Sequence, residues 1–295
     1  SVKIFILYFS LTFFIFITCE IMGLRTFDSF NLALTLISSG GFLPFNDISI
    51  VLNTDLKKII FSTLMLISFF SIFFIYNLIL FRNRDKNFFY EDYNLLVYVI
   101  VLVLVFLLFF GYNNDFINIV FSIFSSISNI GISLNNEFNN LQFIFLLLVI
   151  IGGSFFSTSS GLRFIKIYSL IKFSLNQILS FSKPRNIFMN RLLFSKTNFE
   201  INEINKYFLS IIIFIISLLV LTSLVALSGI DFERCLKISI LTLMNTVNSS
   251  SYGINDFDFQ NINFLTKYSL IMFMIVGRIE LLTLLLIIKK YLFKN

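Results

Sequence analysis

Several apolar runs in this chain are long enough to cross a lipid bilayer, and that feature limits its fold more than any other. A helix needs about 20 mainly apolar residues to span the hydrocarbon core. The segments 2–22, 59–81, 93–112, 207–228 and 264–288 qualify, the last interrupted by Gly-Arg-Ile-Glu. In lipid the backbone must satisfy its own polar groups, which leaves helices or closed barrels. Runs of this length select helices. The composition agrees: 57% of residues are apolar, 13% are charged and the mean hydropathy is +0.91. A soluble domain carries about 25% charge. Histidine is absent, which removes imidazole acid–base chemistry and the commonest metal ligand. Cys19 and Cys235 are too isolated for a disulfide framework or a zinc site. These features point away from an enzyme or a nucleic-acid binder and toward a multi-pass membrane protein without a cofactor. The first run lacks a charged n-region and a small-residue cleavage site, so it reads as a retained span.

The stretch 141–173 departs from this pattern. Its apolar part, LQFIFLLLVIIGG, is too short to cross and runs into the polar string SFFSTSSG at 154–161. A broken backbone is tolerated at membrane depth only where it is buried in protein or lines a wet cavity. The spacing therefore predicts a span with a break at depth. Most of the 22 Lys and Arg residues fall on the side that holds 82–86, 163–206 and 289–294, which is thereby cytoplasmic. Acids including Asp28, Asp47, Asp115, Asp231 and Asp256 gather on the other side. An acidic outer mouth concentrates cations, although solvated loops account for such residues equally well.

Three outer segments repeat: 27–47, 114–136 and 230–259. Each opens with an Asp suited to capping a helix. Each continues as a helix too short to span, then reaches a polar glycine turn: SSGGF, SNIGI and SSYGI. Each lies between two spans. A short helix entering half the membrane aims its partly negative C-terminal end at the midplane. A glycine beyond it lets the chain turn with its carbonyls facing an axis, and rings of carbonyls replace a cation's hydration shell. The alternative is three interfacial helices with ordinary loops. The repeats divide the chain at 1–92, 93–200 and 201–295, an all-α polytopic fold of about six spans.

At these residues the sequence resembles Trk-type potassium uptake proteins, the TrkH/KtrB superfamily. SSGGF (38–42) looks like that family's STGGF filter turn. IGGSFFSTSSGLRFIK (151–166) is similar to its GSTAGGIK segment, SKPRNIF (182–188) to its HPR stretch and VGRIELLTLLLI (276–287) to its GRLE motif. The resemblance covers essentially the whole chain. It implies a pseudo-fourfold pore in a plasma membrane, bacterial and inner, with potassium as the substrate. The three repeats resemble the family's second, third and fourth, so the chain is expected to be a piece lacking the first. A split protein is the other possibility.

By that resemblance Ser38, Ser39, Gly40 and Gly41 form the first filter turn, and Ser128, Asn129, Ile130 and Gly131 the second. The third is ambiguous. Internal comparison favours Ser250, Ser251, Tyr252 and Gly253, while a family-style alignment puts Ser250 or Val247 at the glycine. Gly253 is preferred because Val or Ser at positive φ is strained. Ser157, Thr158, Ser159, Ser160 and Gly161 align with a loop that gates the pathway, with Arg163 and Lys166 as its following charges. Arg278 and Glu280 lie within an apolar run, where a charge marks a pathway or a buried pair. They are two apart and do not share a helix face. The resemblance implies that Arg278 faces the pore below the filter. It also implies a homodimer and a cytosolic nucleotide-binding regulatory subunit against the basic segment 182–206. By itself, a basic face predicts only anionic lipid contact. A non-conducting paralogue or membrane scaffold stands as the alternative function.

Overall fold

A computed structural model describes residues 2–44, 48–75, 90–110, 116–134, 139–181, 201–254, 259, 262–279 and 290–291. Glu280 and the stretch 182–200, with its Ser-Lys-Pro-Arg motif, lie outside the described residues, as do Asp47, Asp115 and Asp256. The helices are α1 (Val2–Ile21), α2 (Thr26–Ser38), the short α3 (Ile48–Val51), α4 (Asp55–Met65), α5 (Tyr90–Phe110) and α6 (Phe116–Ile127). They continue as α7 (Gln142–Ile150), α8 (Phe164–Ser180), α9 (Ile201–Ala226), α10 (Phe232–Leu243) and α11 (Phe264–Ile279). The fold is all-α and polytopic, with one parallel two-residue bridge among the described residues, Ile151–Gly152 against Leu162–Arg163.

Three of these helices are long and apolar enough to cross a membrane: Ile4–Ile21, Tyr90–Phe110 and Glu203–Ala226. They expose rows of Phe, Ile, Leu and Val, among them Phe5, Phe9, Leu108 and Ile216. Facing hydrocarbon, such rows need no protein cover. The short helices α2, α6 and α10 differ. Their last turns are buried, with Leu36 and Ile37, Phe121 to Ile127, and Ile238 to Leu243 inside the molecule.

Helix entry differs from the expected Asp caps. Asp28 lies inside the first turn of α2, where Arg25 is the cap residue, and Asp231 occupies the cap of α10 without a side-chain hydrogen bond to it. An acid at either place still meets the partly positive helix start. The run 59–81, expected as one continuous span, is also broken. After α4 comes a 3-10 turn at Leu66–Ser68, and the chain leaves the helix at Phe69–Ser71 before resuming at 72–75.

The helices pack on one another largely in sequence. α2 lies on α1, α4 on α6, α6 on α7, α7 on α10, and α10 on α9 and α11. One apolar cluster joins Ile15, Leu36, Phe61 and Met65 to Phe121 and Ile130 of the next unit. Phe61 and Phe121 stack at 6.0 Å across that boundary. The other cluster joins Phe69, Leu95, Phe145, Val149, Leu221, Leu241 and Tyr252.

Candidate functional site

The ends of α2, α6 and α10 close in the same way. Ser39, Asn129 and Asn245 adopt left-handed φ values of 50°, 58° and 51°. Each donates its N–H three residues back, to Leu36 O, Ser126 O and Thr242 O respectively. The next residue reaches five back: Gly40 to Thr35 O, Ile130 to Ser125 O and Thr246 to Leu241 O. This is the Schellman closure, whose left-handed position favours Gly and then Asn. Three matching closures fix the register of the turns, so Gly41, Gly131 and Val247 are equivalent.

Those three positions meet. Gly41 and Gly131 have φ of +72° and +79°. A β-carbon on Gly41 would strike the Ile130 carbonyl oxygen and lie 2.7 Å from Val247 Cγ2. One on Gly131 would strike the Val247 carbonyl oxygen and lie 2.9 Å from Thr246 Cγ2. The first two glycine turns therefore come together, along with part of the third loop.

The third turn does not fall where the sequence comparison placed it. Ser250–Tyr252 form a separate 3-10 turn ending in Gly253 at φ 72°, beside the Gln142 side chain. These residues strap the loop to the second unit. Ser250 Oγ donates to Ser133 Oγ at 2.8 Å, and the buried Tyr252 hydroxyl to Ser126 Oγ at 3.2 Å. Val247 carries no such strain, because it lies outside the left-handed region and Asn245 supplies the positive φ. One sequence signal pointed there: Val247 follows Asp231 by the same interval as Gly131 follows Asp115.

Side chains of the left-handed residues tie the turns to their surroundings. Ser39 Oγ donates to Thr158 O at 3.0 Å. Asn129 Nδ2 donates to Val149 O at 3.1 Å and Met244 O at 3.3 Å. Asn245 Nδ2 donates to Met274 O at 2.9 Å.

The polar string forms a loop beside the first turn, closed at its base by the Ile151–Gly152 bridge. Arg163 lies within it, its Nη1 donating to the carbonyls of Ser154 and Ser159, each at 3.1 Å, and to Ser157 Oγ at 3.2 Å. It thus holds the loop's own shape. Ser159 Oγ accepts from Gly153 N–H at 2.9 Å. Gly161 takes φ +95°, packed on Gly152. Lys166 is buried.

The loop locks into the break after α4, a contact that hydropathy did not reveal. Ser68 O accepts from the N–H groups of both Thr158 and Ser159, and Phe69 O from Ser154 N–H, all at 3.1 Å. Each segment supplies what the other lost by leaving the helix. Two carboxylates at the start of α5 complete the joint. Asp92 Oδ1 accepts from Ser71 N–H at 2.9 Å and Glu91 Oε1 from Phe155 N–H at 3.0 Å. The signal available in sequence was the pair of serines, Ser68 and Ser71, within an apolar run.

Arg278 connects loop and turn. Nη1 donates to Ser160 Oγ at 2.9 Å and Nη2 to Ser38 O at 2.9 Å, with Ser39 Oγ at 3.4 Å from Nη1. The guanidinium therefore sits at the partly negative C-terminal end of α2, where a cation is favoured.

No family model and no curated protein matches the sequence. Among solved structures, the potassium transporter TrkH from Vibrio parahaemolyticus superposes with a TM-score of 0.79 over 97% of this chain, at 18% sequence identity. The chain spans 63% of the length of that protein. At this identity the likeness establishes the architecture: the chain has the all-α, multi-pass membrane fold of the TrkH transporter.

Proposed function

We propose that the chain is a pore-forming part of a Trk-type potassium uptake system. The observation that carries this reading is the Schellman closure repeated at three short-helix ends whose following residues meet. Partly negative helix ends and turn carbonyls suit a dehydrated cation and offer no foothold to an anion. The shared fold with a potassium transporter supports the same reading. In it, Ser38–Gly41 and Ser128–Gly131 contribute to the filter with 245–247 as the third member. The loop Ser157–Gly161 and Arg278 control passage beneath the first turn. The homodimer and the cytosolic nucleotide-binding partner belong to the same proposal.

The test is rubidium uptake by potassium-uptake-deficient cells expressing the protein. Saturable uptake that potassium competes for supports the reading, and uptake at the vector level from well-expressed protein removes it. The second reading is a non-conducting membrane scaffold. Val247, standing where the other turns have glycine, is the observation that favours it, and the same assay separates the two.

A further inference from the structure

We propose that Val247 closes the cation path where the turns meet, so that the third turn must withdraw before an ion passes. This rests on the pore reading above. Gly41 and Gly131 present bare backbone to the meeting point, whereas Val247 presents a branched apolar side chain. Its Cγ2 and Cβ lie 2.7 Å and 3.0 Å from where a β-carbon on Gly41 would sit. Its N and O stand against Gly131 on the other side, the N 2.8 Å from the corresponding β position. Val247 thus touches both glycine turns at once. An isopropyl group offers a cation no oxygen in exchange for its water, and a dry apolar constriction stops conduction.

Val247 is also tied to a neighbouring helix. Asn245, two residues earlier, is held to the last described helix through Met274 O, and Gly277 lets that helix approach the Leu243 carbonyl closely. Arg278 is the next residue. A shift of α11 therefore carries the third turn and the Arg278 contacts to Ser38 and Ser160 together. The structure links the closure at the turns to the loop beneath them through one helix.

The experiment compares rubidium flux, normalised to membrane abundance, for Val247→Gly, Val247→Ala and Val247→Leu with the unaltered protein and with Gly41→Ala. Smaller side chains should raise flux several-fold and leucine should lower it. Flux unchanged or lowered in both Val247→Gly and Val247→Ala overturns the closure. The failure of the pore reading looks different: no variant, Gly41→Ala included, alters flux, and the unaltered protein shows none. A thermal melt of each purified variant separates lost folding from lost closure.

Discussion

Glycine at a turn matters here only where something stands against it. Gly41 and Gly131 have positive φ and a neighbouring backbone in the place of a β-carbon, whereas Gly23 and Gly229, at φ +82° and +75°, have nothing within 4 Å. A side chain at positive φ alone costs about 1–3 kcal/mol. At Gly41 and Gly131 the clash adds to this and must displace the adjoining turn. Gly41→Ala and Gly131→Ala are therefore expected to lower rubidium uptake by about tenfold or more, a change equivalent to ~1.4 kcal/mol. Gly23→Ala and Gly229→Ala are expected to lower stability with little change in uptake per molecule. Equal losses in all four variants would dismiss the filter assignment. Arg278 gives a prediction of opposite sign. A fixed unit charge beside a path repels a cation, by about 4 kcal/mol at a separation of about 4 Å and an effective dielectric constant of about 20, and by less farther away. Arg278→Ala also frees Ser160 from the first turn. Rubidium flux should rise several-fold while potassium-over-sodium preference shifts less, as measured by competition in the same assay. Unaltered flux would make the arginine a structural tie.

Two broken elements account for most of what the polar loop does. Neither break is stable alone in lipid, because a helix that stops at depth leaves N–H and C=O groups bare. Ser68 and Phe69 offer carbonyls, the loop offers the N–H groups of Ser154, Thr158 and Ser159, and Asp92 takes the N–H of Ser71. Removing a buried acceptor costs about 1–3 kcal/mol. Asp92→Ala should therefore lower the melting temperature of the purified protein, and Asp92→Asn, which keeps the accepting oxygen, should restore much of it. Equal losses in the two variants would point to the charge and not to the Ser71 contact. The sequence made half of this joint visible. The loop at 154–161 interrupts its apolar run with a polar string, so a break there is readable. The break after α4 hides inside an apolar run, because Ser68 and Ser71 scarcely lower its hydropathy and their partners lie far along the chain. The third turn is hard to read for a related reason. Glycine is the usual source of positive φ, but the Schellman closure puts that conformation on Asn245, two residues before Val247. Val247 then needs no unusual backbone, and Gly253 serves a strap built on Tyr252 and Ser126.

On the scale of the whole molecule the short helices are joined in a chain of contacts. α2 packs on α1 and α4, α4 on α6, α6 on α7 and α7 on α10. Ser38 is exposed, Phe42 is 73% exposed and Arg278 bridges to Ser38 across solvent-accessible space. Carbonyls arranged around an ion need protein on every side, since a polar backbone facing lipid forfeits several kcal/mol per group. Helix ends pointing inward add a favourable potential only if water and lipid do not screen them. The buried last turns of α2, α6 and α10 meet these conditions, whereas Ser38 and Phe42 stand exposed. Potassium-selective flux is therefore expected to require protein over Ser38 and Phe42. A second copy of the chain, as in the proposed homodimer, would supply that cover. The measurement is potassium-driven flux in liposomes of defined protein content, with a potassium ionophore as the positive control for vesicle tightness. Robust potassium-over-sodium selectivity from chains that make no contact at Phe42 would show that no such cover is needed. Cross-linking through a cysteine placed at Phe42 reads that contact, because Phe42 meets another copy only where copies cover one another.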